Sequence, residues 1–276
     1  MKKSIVWLAS YPKSGNTWAR IFLTNYMTNA QEPVPINQVH RFGIGDTIEK
    51  TYRMVGGPNA DLNSIEVTLG LRPKVLRGIV NNNADVNLVK THNIRSAAFG
   101  QELIPAALTR SAVYIMRNPL DVVLSYARHF GQTPEETVEA ISRSDNASPG
   151  GRNVVHQFLG SWSEHVQSWT INAGYPQLIL RYEDMLDKPE EAFGKLVQHF
   201  GVPLVEERLE RAIRFSSFDE VSKQEEKDGF VEASDRSDRF FVKGQSGQWQ
   251  TDLAPDLIKR VKKDHRKVMK KWGYLE

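Results

Sequence analysis

The chain has 276 residues, 40% hydrophobic and 25% charged, which suits one large α/β domain with a real core. It holds no cysteine, so disulfides and thiolate metal sites are excluded. The net charge is +3, yet Asp256 to Glu276 carries eight Lys/Arg against three acidic residues (+5), so the remainder carries −2 and a whole-molecule field drawing nucleic acid is not supported.

Met1-Lys2-Lys3-Ser4 precedes only a few apolar residues, without the longer apolar segment and cleavage site of a signal peptide, and no run is long enough to span a membrane. A reducing, cytoplasmic protein is expected. Ser4 to Ala9 reads as a short buried strand. From Asn16, the residues Trp18, Ile21, Phe22 and Met27 fall near helical spacing. Ser10 to Trp18 is therefore a strand-to-helix turn, with Pro12, Ser14 and Gly15 at the bend. Such a turn aims backbone N–H groups and the positive end of a helix dipole at one point, which makes an anion site. Lys13 adds a full charge there, and Ser14, Asn16 and Thr17 add side-chain hydrogen bonds.

Gln31 to Ile36 is a proline-marked loop, and Ser64 to Leu71 a short helix. Asn81-Asn82-Asn83 is a turn. The mixed segment 31–84 is suited to an acceptor pocket. Val86 to His92 reads as a second strand, Ala106 to Arg110 as a helix end, and Ser111 to Met116 as a third strand. Asn118 caps a helix with Pro119 at its first position, turning Leu120, Val123, Leu124 and Ala127 inward. Thr133-Pro-Glu-Glu136 opens a further helix, and the loose segment behind it makes 131–152 a candidate lid. Val154 to Ile171 reads as a helix, Leu178 to Tyr182 as a fourth strand, and Pro189 to Phe200 as a helix closed by Gly201. The basic tail reads as one terminal helix with Leu257, Ile258, Val261, Val268, Met269 and Trp272 on its buried face. Strands alternating with helices give an α/β fold, a single domain over 1–276 with a mostly parallel central sheet flanked by helices. Ligands on such sheets sit at the carboxyl ends of the strands, where Lys13, His92, Arg117 and Tyr182 fall.

The turn differs from the usual ATP loop, which needs Gly-Lys-Ser/Thr. Tyr-Pro-Lys-Ser-Gly-Asn-Thr-Trp instead resembles the 5′-phosphosulfate loop of the cytosolic sulfotransferase family, in a form closer to its bacterial natural-product enzymes. Five further stretches resemble family motifs in the same order. Lys90-Thr-His92 matches the segment bearing the family's base. Arg117-Asn-Pro-x-Asp-x-x-x-Ser125-Tyr matches the 3′-phosphate motif. Tyr182-Glu-Asp-Met and Ser216-Ser-Phe218 match segments near the adenine. Val242-Lys243-Gly244 through Trp249 resembles the C-terminal 3′-phosphate loop, with Val242 standing where the family has Arg and Gln248 where it has Asp. Arg239 is a candidate substitute for the missing Arg.

The resemblance implies a P-loop-like nucleotide site for 3′-phosphoadenosine 5′-phosphosulfate (PAPS), with PAP as product and no metal. It implies Lys13, Ser14, Gly15, Asn16, Thr17 and Trp18 at the 5′ end, and Arg117, Ser125, Val242, Lys243 and Gly244 at the 3′-phosphate. Trp18, Phe218, Tyr182 and Ser216 lie at the base, where stacking contributes roughly 1–3 kcal/mol. By the resemblance, His92 is expected as general base, with Lys13 and Lys90 catalytic beside it; His40 and His129 are fallback bases. The acceptor is a small molecule bearing a hydroxyl or amine. No nucleic-acid or membrane partner is implied, and the family's C-terminal dimer motif has no match, so the oligomeric state stays open. Two rivals remain: an ATP-dependent small-molecule kinase, and a non-enzymatic nucleotide- or RNA-binding module suggested by the basic tail.

Overall fold

The computed structural model describes residues 4–82, 84–151 and 153–276. Asn83 of the expected 81–83 turn, Arg152 of the expected lid and the first three residues lie outside them. β1 (Ser4–Ser10) is buried along most of its length, as an unbroken apolar run in a sheet covered on both faces must be. It leads into α1 (Asn16–Met27). A 3-10 turn (Ile36–Phe42), β2 (Ile44–Gly45) and α2 (Glu49–Gly56) follow. Ser64 accepts from the Val67 N–H at 3.2 Å and caps α3 (Ile65–Val80). That helix runs well beyond Leu71, through Pro73. A proline inside a helix costs about 3 kcal/mol, and burial of Val75, Leu76, Ile79 and Val80 beyond it offsets this.

β3 (Val86–Thr91) is followed by a small hairpin of β4 (Ala97–Ala98) and β5 (Gln101–Glu102). The helix end expected at 106–110 is instead one 3-10 turn, and β6 (Thr109–Met116) begins directly after it. Thr109 Oγ1 donates to the Pro105 carbonyl and accepts from the Trp7 indole, both at 2.9 Å, which fixes the entry into the strand. α4 (Pro119–Phe130) is capped by Asn118, whose side chain accepts from the Leu120 N–H. Thr133 and Glu136 exchange hydrogen bonds in front of α5 (Pro134–Ser142).

A second short pair, β7 (Ala147–Ser148) and β8 (Gln157–Phe158), occupies the start of the helix expected from Val154. α6 spans only Trp162–Thr170, because Gly160 takes a left-handed φ of 64° and Ser161 with Glu164 forms a capping box there. β9 (Gln177–Arg181), α7 (Tyr182–Asp187) and α8 (Pro189–His199) come next. Two helices that the sequence reading did not expect follow, α9 (Glu206–Phe215) and α10 (Phe218–Asp228). After α11 (Trp249–Asp252), the tail forms two helices, α12 (Pro255–Asp264) and α13 (Arg266–Lys271), broken at His265. The break still buries Leu257, Val261, Val268 and Met269.

The central sheet is five-stranded and parallel, in the order β2-β3-β1-β6-β9. The chain divides into two compact units. The first comprises residues 1–11, 43–114 and 141–179 and holds most of the sheet. In it Tyr114 stacks on Trp169 with ring centres 6.0 Å apart. The second comprises 12–42, 115–140 and 180–276. In it Phe22 stacks on Phe193 at 4.1 Å, and Ile21, Ile36, Val39, Val221 and Phe230 form a further cluster. Among the described residues no helix is long and apolar enough to cross a membrane.

Candidate active site

The second unit contains the anion-binding turn. Gly15 is the N-cap of α1 at φ 102° and brings no side-chain cap to that end of the helix. A Cβ on Gly15 would stand 2.8 Å from the Tyr182 ring, so both backbone angle and space require glycine. Lys13 is held at φ 65°, a left-handed conformation that costs a non-glycine residue about 1 kcal/mol or more. Arg117, at the end of β6, makes this turn rigid. Its Nη1 donates to the Lys13 carbonyl at 3.2 Å, its Nη2 donates to the Gln245 carbonyl at 2.9 Å, and its guanidinium lies 4.3 Å over the Tyr182 ring. Trp18 meets Tyr182 and Phe193 edge-on.

The 243–249 loop is tied down from α4. Asp121 accepts from the N–H groups of Gly247 at 2.8 Å and Trp249 at 3.3 Å. Gly244 lies so close on Phe218 that an added Cβ would fall 2.3 Å from its ring. Lys243 pairs with Asp252 at 2.7 Å, Arg239 pairs with Glu226 at 3.3 Å, and Val242 is exposed.

Lys13 lies near two further cations, Arg117 and Arg128. Lys13 is pushed down to about 7, chiefly by burial and then by Arg117 and Arg128. Glu232 and Glu225 pull the other way, yet both carboxylates are engaged elsewhere. Glu232 holds Arg20 at 2.6 Å and accepts from the Thr17 hydroxyl at 3.3 Å. Glu225 accepts from the N–H groups of Phe240 and Phe241. The Lys13 ammonium rests 3.7 Å from the centre of the Phe240 ring. Three buried polar atoms here have no hydrogen-bond partner among the described residues: Ser14 Oγ, Arg117 Nε and Trp18 Nε1. Buried donors beside crowded cations fit an anionic ligand bearing several oxygens.

The first unit holds His92, just past the end of β3. Its Nδ1 lies 2.8 Å from the Ser10 carbonyl and 3.3 Å from the Ser10 hydroxyl. A ring nitrogen facing a carbonyl must donate, which leaves Nε2 with the lone pair a base requires. Both neighbours of His92 are fixed by one carboxylate. Asp46 Oδ2 accepts from Thr91 Oγ1 at 2.8 Å and Asn93 Nδ2 at 3.0 Å, and pairs with buried Arg72 at 2.6 Å. From the other side, His165 Nε2 meets the His92 carbonyl at 3.0 Å, and Tyr114 OH meets His165 Nδ1 at 2.9 Å. Burial pushes His165 down to about 4, so it is neutral, donating through Nε2 and accepting from the phenol. Lys90, half-buried on β3, lies across from Leu8 in register.

The sulfotransferase domain model matches residues 3–273. The chain belongs to the sulfotransferase family. It is therefore a PAPS-dependent enzyme that transfers a sulfuryl group. Sulfotransferase 1A1 of Canis lupus familiaris is 25% identical over 271 residues, covering 96% of this chain and 83% of the relative. Retinol dehydratase solved with androsterone and the inactive cofactor PAP has a TM-score of 0.67 at 19% identity, over 98% of this chain and 82% of its own. Mouse sulfotransferase SULT7A1 solved with PAP has a TM-score of 0.59 at 20% identity, over 98% and 84%. At these identities the two structures show the sulfotransferase fold.

Of the residues singled out in this sulfotransferase from sequence, Lys13 to Trp18, Arg117, Ser125, Tyr182, Ser216, Phe218 and Val242 to Gly244 fall in the second unit, and Lys90 and His92 in the first. Ser216 is fully buried, and its hydroxyl donates to the Ala212 and Ile213 carbonyls of its own helix. His40 is exposed, and His129 meets Phe240 edge-on. Sequence reasoning missed Asp46, Arg72, His165 and Tyr114, whose roles come from long-range contacts that no local pattern announces. It also passed over Arg128, although a basic residue three positions after Ser125 on one helix face was visible.

Proposed function

We propose that this sulfotransferase moves the sulfuryl group onto a hydroxyl or amine of a small-molecule acceptor by in-line displacement, with His92 as general base. The acceptor oxygen or nitrogen forms a bond to sulfur as its proton passes to His92 Nε2. The bond from sulfur to the bridging oxygen breaks, and its electron pair stays on the 5′-phosphate. Lys13 offsets that growing charge, and Lys90 supports the sulfuryl oxygens. This is charge stabilisation by preplaced donors.

The observation that carries the reading is the set of unpartnered buried donors, Ser14 Oγ and Arg117 Nε, beside a depressed Lys13. Two relatives of similar fold were solved with PAP, and we carry that nucleotide to this chain. Ser14 to Thr17 and the first turn of α1 hold its 5′-phosphate. Arg117, Ser125 and the loop at Val242 to Gly244 hold its 3′-phosphate. Trp18, Tyr182 and Phe218 surround the base, and Ser216, whose hydroxyl serves its own helix, sets the turn before Phe218. Residues 31–84 supply acceptor contacts, and 131–152 acts as a lid. No nucleic acid or membrane is involved, and the setting is cytoplasmic.

The test is a thermal-shift and calorimetric comparison. PAP raises the melting temperature and ATP with magnesium does not. Arg117→Ala weakens PAP by at least about 10-fold while adenosine 5′-monophosphate changes little. Equal weakening of both nucleotides removes the 3′-phosphate assignment, and a shift with ATP alone removes PAPS.

A further inference from the structure

We propose that Arg128 is a second guanidinium for the 3′-phosphate, supplying the charge that the Val242 position lacks. The proposal rests on the PAPS reading above and adds to it a residue that none of the sequence motifs includes.

Arg128 lies on α4 with Asp121 and Ser125, at i+7 and i+4 from Asp121, so the three share one helix face. Asp121 at one end of that row holds the N–H groups of Gly247 and Trp249, which brings the 243–249 loop over α4. The cations of the loop region already have partners: Lys243 holds Asp252 and Arg239 holds Glu226. Arg117 spends one N–H of each Nη atom on a backbone carbonyl, and among the described residues its buried Nε has no partner. Arg128 is half-buried, yet among the described residues it makes no hydrogen bond or ion pair.

The charges that act on Arg128 are the cations Arg117 and Lys13 and the carboxylates Asp252 and Asp121. Asp252 is engaged by Lys243 and Thr251, and Asp121 by the two loop amides. A half-buried fork of donors that feels two other cations and, among the described residues, pairs with no carboxylate suits a dianion with three outward oxygens. The plain alternative is a cation complementing the C-terminal dipole of α4. That role would be felt in ligand-free stability and would not distinguish one nucleotide from another.

Calorimetric titration of PAP and of adenosine 5′-monophosphate into wild type, Arg128→Ala and Arg128→Lys separates the two. Arg128→Ala is expected to weaken PAP about 10- to 100-fold, to change the monophosphate less than about 2-fold, and to leave the ligand-free melting temperature unchanged. Arg128→Lys, which keeps charge without the fork, recovers part of the loss. Unchanged PAP binding overturns the proposal. So does an equal loss for both nucleotides, or a fall in ligand-free stability with no nucleotide selectivity. If wild type itself fails to prefer PAP to the monophosphate, the PAPS reading falls before Arg128 is reached.

Discussion

The turn at Lys13 and the strand end at His92 are built on opposite terms. Around His92, nearly every polar atom has a partner: Ser10 holds the ring, Asp46 and Arg72 hold its neighbours, and His165 holds its carbonyl. Among the described residues, the buried Asp46 Oδ1 lacks a partner. Around Lys13, buried donors are unpartnered and cations crowd together. The first arrangement positions one imidazole and gains nothing from a ligand. The second is incomplete until an anion arrives. Stability and function therefore separate: changes near His92 are felt mainly in folding or turnover, and changes near Lys13 mainly in nucleotide binding and pH response.

The largest effect is expected from Arg72→Ala, which leaves the Asp46 carboxylate buried without its cation. Loss of about 3–5 kcal/mol should appear as a much lower denaturation midpoint. A small loss would mean that the Asp46 network is not what orders this region.

Lys13→Met should do the reverse. Below about pH 7 Lys13 is charged in the folded and unfolded chain alike; between about 7 and its ordinary 10.5, only the unfolded chain keeps the proton. Stability of the ligand-free wild type therefore rises with pH across that window. Methionine removes the burial penalty, so the gain in melting temperature is largest at pH 7 and below and narrows towards pH 10. Sulfuryl transfer should meanwhile fall by at least about 100-fold. PAP binding to wild type at pH 8 should take up a proton, measured by calorimetry in buffers of different ionisation heat, and Lys13→Met should not. Binding without uptake would contradict the charge crowding at the turn.

Tyr114→Phe takes one donor from His165 and should cost about 1–2 kcal/mol, with turnover reduced and PAP affinity retained. The smallest effect belongs to Ser216→Ala. Its hydroxyl serves its own helix, so stability should change by no more than about 0.5 kcal/mol. A PAP affinity falling by 10-fold would instead place that hydroxyl on the nucleotide.

These contrasts also explain what could be read from the sequence. The turn from β1 into α1 and the Asn118-Pro119 start of α4 rest on local chemistry, a left-handed glycine, a side-chain cap and a proline, and the sequence displays all three. α9 and α10 are rich in charge, and their burial of Leu209, Ala212, Phe215 and Val221 depends on partners elsewhere in the chain, although Ser217 and Gly229 mark the ends of α10. The expected helix from Val154 failed because the capping box at Ser161 and Glu164, together with left-handed Gly160, outweighs the apolar spacing before it. The residues around His92 escaped notice for the same reason as α9. Asp46, Arg72, His165 and Tyr114 come from four separate stretches, and only the folded first unit unites them.

The most direct test is His92→Ala, measured two ways on one preparation: PAP affinity by calorimetry, and turnover with labelled PAPS against a panel of phenols, alcohols and amines. Turnover should fall by at least about 100-fold while PAP affinity stays within about 2-fold of wild type. Loss of both together, or retained turnover, would contradict the assignment of His92 as the base.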